Sequence, residues 1–252
     1  ISYAFKKGIA LTAGTGVNLN NISRRMCESL VNYNFKLMKV SIDGANEKIY
    51  AMYRKGGSYS RVIENIKLIN HFKKVYKSNF PIMQWQFIPF GHNEHQISLA
   101  RKKATVLGMD FVLKLNAKPN FSPLKNIELV RKQTGLQAVT REEYKKEHGN
   151  VFALSCHELW TAPQINWDGK LLGCCSNLFV DMGNVFKSGL PKLLKSQRYL
   201  HTKQVVLGLK VPSKNIPCYW CLPYTEEATK QEIVRSTVTA LLKHGTGSKE
   251  RK

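Results

Sequence analysis

Five of the six cysteines in this 252-residue chain fall between positions 156 and 221. Cys156 stands alone, Cys174 and Cys175 are neighbours, and Cys218 and Cys221 form a C-x2-C pair. Thiolates are soft ligands, and four of them brought together suit a tetrahedral zinc ion or an iron–sulfur cluster. Adjacent residues normally do not both face one centre, so the expected ligands are Cys156, Cys174, Cys218 and Cys221, with Cys175 as the substitute for Cys174. Ligand type alone does not separate zinc from iron. Cys27 sits on the apolar side of a helical pattern and reads as an ordinary core cysteine.

A second group of residues lies in the first half. Ser41-Ile42-Asp43-Gly44-Ala45 closes a strand pattern at its C-terminal end, where parallel α/β architectures bind ligands. Gly14 and Gly16 follow an earlier strand pattern and allow close backbone approach at the same rim. Arg54, with Gly56-Gly57, falls between that strand and the next helix. These residues alone fit a plain turn and a surface arginine equally well.

The elements that would position both groups follow from periodicity. Residues 1–116 alternate strands and helices, the pattern of a parallel α/β sheet. Strands are expected at 9–13, 37–43, 82–90 and 109–116. The first helix carries Ile22, Met26 and Leu30 after an Asn20-Asn21 cap, and the second carries Val62, Ile66 and Ile69 with Ile63 and Phe72. The third carries Ile97, Ala100, Ala104 and Leu107, with Asn93 and Gln96 as a capping box and Gly108 as its stop. Met38, Val40 and Ile42 alternate with Lys39, Ser41 and Asp43. Met83, Trp85 and Phe87 alternate with Gln84 and Gln86, and Phe111, Leu113 and Leu115 with Lys114 and Asn116. A parallel sheet rarely leaves one face to water, so one polar face implies a curved sheet or partial barrel around a polar ligand. Residues 117–150 read as a linker with short helices. Asp168-Gly169, between Ile165/Trp167 and Leu171/Leu172, signals a tight hairpin whose return strand delivers Cys174 and Cys175. A final amphipathic helix over 225–243, with Ile233, Val234, Val238, Leu241 and Leu242 on one face, is expected to pack back on the barrel.

Composition sets the outer bounds. At 43% apolar and 22% charged residues, the chain is neither disordered nor fibrous, and no apolar run reaches the length of a membrane-spanning helix. Lys and Arg outnumber Asp and Glu by 39 to 17, giving +22. The lysines are scattered as pairs along helical stretches, whereas nucleic-acid modules concentrate theirs, so nucleic acid is not an expected partner. A basic zinc- or cluster-binding module that binds nucleic acid or a protein partner without catalysis stands as the alternative reading. The chain opens at Ile1 with no methionine before Met26, which reads as a fragment or a processed chain.

In this order the motifs resemble the later part of a radical S-adenosylmethionine (radical SAM) enzyme with a shortened SPASM-type domain. SIDGANEKIYAMYRKGG is the most specific stretch of the first half, followed by WQFIPFGHNEHQ and LGMDFVLKLN. Cys156, Gly169 and Cys174 meet the C-x9–15-G-x4-C pattern, and GNVF at 183–186 and the C-x2-C also fit. The resemblance implies an α/β chain: the later strands of a partial (β/α)6 radical SAM barrel over 1–116 and a linker over 117–150. A small SPASM/twitch-like α+β iron–sulfur domain over 151–225 and a C-terminal helix and basic tail over 226–252 complete it.

Three further expectations follow from the resemblance. Cys156, Cys174, Cys218 and Cys221 would hold an auxiliary 4Fe-4S cluster. Ser41, Asp43 and Arg54 would contact S-adenosyl-L-methionine, and Gln86, with Gln84, would line the lumen. A second 4Fe-4S cluster would need a C-x3-C-x2-C loop, a spacing that the six cysteines here do not contain, so this chain alone is expected to be inactive. The implied substrate is a peptide or small molecule, the reductant a flavodoxin or ferredoxin, and the setting cytoplasmic, away from membranes.

Overall fold

The computed structural model describes residues 1–116, 120–148, 156–177, 180–221, 224 and 227–246, which form two compact units, 1–143 and 144–252. The expectations for 117–119, 149–155, 178–179, 222–223, 225–226 and 247–252 lie outside the described residues. Among the described residues no helix is long and apolar enough to cross a membrane.

The first unit is built on a four-stranded sheet: β1 (Thr12–Val17), β2 (Leu37–Ser41), β3 (Ile82–Phe87) and β4 (Asp110–Leu113), in that spatial order and all parallel. Helices return the chain between strands: α1 (Ser2–Lys6) precedes β1, α2 (Arg24–Asn32) follows it, α3 (Glu47–Tyr53) and α4 (Tyr59–Val75) follow β2, and α5 (Ile97–Val106) follows β3. The caps are local. Ser23 Oγ accepts from Met26 N–H, Asn46 Oδ1 from Ile49 N–H and Ser58 Oγ from Arg61 N–H, each satisfying an otherwise orphaned helix donor.

The alternation expected of the strands is present. Met38, Val40, Ile42, Met83, Trp85 and Phe87 are buried against the helices, with Val62, Ile66 and Ile69 of α4 and Ile97, Ala100 and Ala104 of α5. The other face carries Lys39, Ser41, Gln84 and Gln86. β1 runs later than its expected span, so Gly14 and Gly16 lie inside it, where its register with β2 slips between Ala13 and Val17. Gly16 takes φ +122°, and a Cβ there would come 2.5 Å from Ser41 Oγ; only glycine fits beneath that hydroxyl.

Two further differences have physical causes. The first helix starts at Ser23, not at Asn20-Asn21, because Asn20 is used elsewhere: its side chain donates to Tyr50 Oη and accepts from Ser58 N–H. The buried stripe of α2 is therefore Cys27, Leu30 and Val31, with Met26 exposed. Asn93 and Gln96 form no capping box. Asn93 donates to Asp43 O and Ile88 O and accepts from Phe90 N–H, while Gln96 Oε1 accepts from Ala45 N–H at 2.7 Å. Both tie the ends of β2 and β3 together. The segment read as a linker contains helices Ile127–Thr134 and Arg141–His148, and Val130 and Val139 are buried in the first unit's core.

The second unit centres on an antiparallel hairpin, β5 (Gln164–Ile165) and β6 (Leu171–Gly173). Asn166 O accepts from Gly169 N–H across the turn and Gly169 adopts φ +82°, the left-handed conformation that Asp-Gly signals. Residues 182–185 lie beside β6: Leu171 N–H donates to Gly183 O, Met182 N–H to Leu171 O, and Val185 N–H to Gly169 O. Leu159, Leu171, Met182, Tyr199, Val206 and Ile216 form the core. The C-terminal helix, Glu227–Thr246, buries Ile233 in that same core, with Val238 and Leu242 exposed. Its anchor is thus within the second unit.

Candidate functional site

In the second unit, three segments bring four cysteines to one cavity. Cys156 precedes the short helix Glu158–Thr161, Cys174 follows β6, and Cys218 and Cys221 lie in and just after the turn of helix Pro217–Trp220. All four line the cavity, with Leu159, Val206, Pro217 and Ile233 as apolar wall and Asn177 and Thr202 as polar wall. Cys175 is exposed and outside the lining. The reason is a turn: Asn177 N–H donates to Cys174 O at 3.2 Å, which folds residues 174–177 back and leaves Cys175 at the outer corner.

Burial pushes the Cys156 thiol up to about 12 and Cys174 to about 11, and raises Cys218 and Cys221 as well; at Cys156 and Cys218 the neighbouring thiols add to the effect. Without a metal the thiols stay protonated, and a bound metal would displace those protons. Opposing the rise, the nearby backbone amides of Ser176 and Asn177 favour the Cys174 thiolate, and that of Tyr224 favours the Cys221 thiolate. Among the described residues no three His, Cys, Asp or Glu side chains stand close enough to share one metal ion. The four thiols line the cavity wall. An all-sulfur donor set in an apolar pocket fits an iron–sulfur cluster in its chemistry.

In the first unit, the C-terminal ends of β1 and β2 border a polar cleft of about 390 Å3, lined by Asn18, Asn20, Asn21, Ser41, Tyr50, Tyr53, Arg54, Lys55, Gly56 and Gly57. Ser41 and Arg54 are thus at the rim. Gln86 lies beneath, 5% exposed, its Nε2 at 3.4 Å from Ser41 Oγ. Asp43, read from the sequence as a cofactor contact, is fully buried. Its Oδ2 accepts from Arg54 Nε at 2.7 Å and its Oδ1 from Ile88 N–H at 2.8 Å. Burial pushes its carboxyl above the ordinary carboxylate range, while Arg54 and the Ile88 amide pull it back. Trp85 Nε1–H donates to Ile42 O and Lys103 Nζ to Ala45 O, so every residue from Ile42 to Ala45 except Gly44 is held by a partner from another element. At Gly44 a Cβ would lie 2.5 Å from Tyr50 N.

Residues 156–230 match the family model described as SPASM, an iron–sulfur cluster-binding domain. That stretch of the second unit is similar to the SPASM domain. The chain as a whole is similar in fold to the solved structure "Native anSMEcpe with bound AdoMet", at 13% identity and a TM-score of 0.50, over 95% of this chain and 75% of that one. No curated protein matches the chain. The α/β fold, a parallel four-stranded sheet followed by a small second unit, is therefore similar to the fold of that solved structure.

Sequence reasoning named the cysteines, and the structure brings four of them together. It missed Asn177, whose side chain bears on the Cys174 turn, and the Asn93–Gln96 bracing of the rim. Asn177 carries no local motif that would have marked it, and the capping-box spacing of Asn93 and Gln96 points to a helix start instead of the rim, since the partners of both asparagines are set by the folded chain.

Proposed function

We propose that this chain is the later part of a radical SAM enzyme. Its SPASM domain holds an auxiliary [4Fe–4S] cluster through Cys156, Cys174, Cys218 and Cys221. The single observation that carries this reading is the convergence of four cysteines from three segments on one cavity, inside a domain matched as iron–sulfur binding. Tetrahedral zinc takes the same thiolate set, and the match to an iron–sulfur cluster-binding domain favours the cluster. When bound, the cluster supplies an electron-transfer centre or an anchor for substrate.

The chain's own residues have distinct tasks. The apolar wall of Leu159, Val206 and Ile233 keeps water from the sulfurs. At the other site, the Ser41 hydroxyl and the Arg54 guanidinium face the polar cleft and would take hydroxyl and carboxylate groups of S-adenosylmethionine. Asp43 already occupies the Nε–Nη2 edge of Arg54, so Arg54 is left with Nη1 for a carboxylate, and Asp43 serves by holding the guanidinium in place. Gln86 steadies Ser41. Radical formation would require the second cluster and its C-x3-C-x2-C loop, so this chain alone is proposed to be inactive. A peptide or small-molecule substrate, a flavodoxin- or ferredoxin-type reductant and a cytoplasmic setting complete the reading.

Metal analysis tests it. After anaerobic reconstitution the protein should carry roughly four iron and four sulfide per chain, with brown cluster absorption. A colourless protein holding one zinc would overturn the cluster assignment.

A further inference from the structure

Asn177 is 1% exposed and lines the cysteine cavity. Its side-chain amide makes three bonds to the chain on both sides of the Cys174 turn. Nδ2–H donates to Leu172 O at 2.7 Å and to Val180 O at 2.5 Å, and Oδ1 accepts from Val180 N–H at 3.1 Å. Its backbone N–H closes the turn onto Cys174 O. The same turn carries the backbone amides of Ser176 and Asn177, which hold the Cys174 pKa down against burial. Leu172 and Val180 thus bracket the ligand, and one buried amide fixes both brackets.

A buried side chain with this many committed bonds holds its loop in one geometry. Hydrogen bonds to ligand sulfurs favour the more negative, reduced state of a cluster and so raise its potential. Partners that orient a ligand without touching the metal contribute strongly to retention.

We propose that Asn177 is a positioning residue for the cluster: its amide clamps the Cys174–Asn177 turn so that two backbone N–H groups stay on the Cys174 sulfur, raising the cluster's reduction potential and slowing its loss. The inference rests on the cluster reading above.

Asn177→Ala in the full chain, reconstituted anaerobically, tests it by redox titration and by iron release to a chelator. The midpoint potential should move to more negative values, and iron release should quicken about tenfold. Lys170→Ala, which removes only the exposed ion pair to Asp168, should leave both unchanged. A second measurement needs no variant: transfer of the unmodified protein to D2O should shift its Fe–S(Cys) stretching bands in resonance Raman spectra, and it decides the matter if Asn177→Ala does not fold. Unchanged potential and iron release in Asn177→Ala, an equal change in Lys170→Ala, or no D2O shift would each overturn the inference. If the unmodified protein takes up no iron, the cluster reading fails and this inference with it. Iron uptake with an unaltered Asn177→Ala defeats the inference alone.

Discussion

Arg54 holds Asp43 through two nitrogens on one oxygen, Nε at 2.7 Å and Nη2 at 2.5 Å from Oδ2. The aspartate is fully buried and the arginine side chain is 30% exposed, so the pair joins the interior of the rim to the surface of the cleft. One residue sits at the end of β2 and the other just past α3, and the bond between them fixes the SIDG segment against the helix that follows it.

Arg54→Ala should therefore destabilise the first unit by about 3 kcal/mol at neutral pH, because it strands a buried carboxylate. The pH dependence has a definite sign. Burial already raises the Asp43 pKa, and removing Arg54 takes away an opposing attraction, so the carboxyl in the variant titrates higher still. The folded variant then binds a proton more readily than its unfolded chain. The loss should be full above the folded pKa and vanish as pH falls below the ordinary carboxylate value. Urea unfolding of both proteins across that range measures it; a loss independent of pH would contradict the account.

Asn93 is a second brace at the same rim, fully buried and bonded to Asp43 O, Ile88 O and Phe90 N–H. Asn93→Ala leaves buried backbone groups without partners and should cost on the order of 3 kcal/mol. Asn93→Ser, which keeps one polar group, should cost less. Equal stability of Asn93→Ala and the unmodified chain in denaturant titration would show that water takes over these bonds at no cost.

Which of these features could be read beforehand depends on the range of the interaction. The polar and apolar faces of β2 and β3 were legible because side chains alternate with a period of two, so Met38, Val40, Trp85 and Phe87 declared themselves. The Asp168-Gly169 hairpin was legible because its φ > 0 requirement is local. The start of β1 was not, since Gly14 and Gly16 look like a loop until Ser41 is seen to need the space above Gly16. Asn93 and Gln96 have the spacing of a capping box, but partners 50 and 51 residues away compete for the same side-chain atoms. The cysteines were legible as a set. The preference for Cys174 over Cys175 has no physical ground in the sequence to separate the neighbours; the turn that Asn177 closes supplies that ground.

Gly173 precedes that turn at φ +83°, and a Cβ there would lie 2.3 Å from Met182 Cε and 2.8 Å from Leu159 Cδ2. Gly173→Ala combines backbone strain with a clash in the core and should cost about 1–3 kcal/mol. Because the displaced residue is next to Cys174, iron content after reconstitution should fall with stability. Thermal unfolding and iron analysis of the same sample check both; full iron content in a destabilised Gly173→Ala would separate the hairpin from the cysteine cavity.

The most direct test of the four-cysteine centre is a series of single Cys→Ala variants at positions 156, 174, 175, 218 and 221, each reconstituted anaerobically and examined by absorption and electron paramagnetic resonance. The account predicts that Cys156→Ala, Cys174→Ala, Cys218→Ala and Cys221→Ala each lose or degrade the cluster and loosen the second unit, since metal binding and folding are coupled, and that Cys175→Ala keeps a full cluster. An intact cluster in Cys218→Ala, or a cluster lost with Cys175 and retained without Cys174, would contradict it.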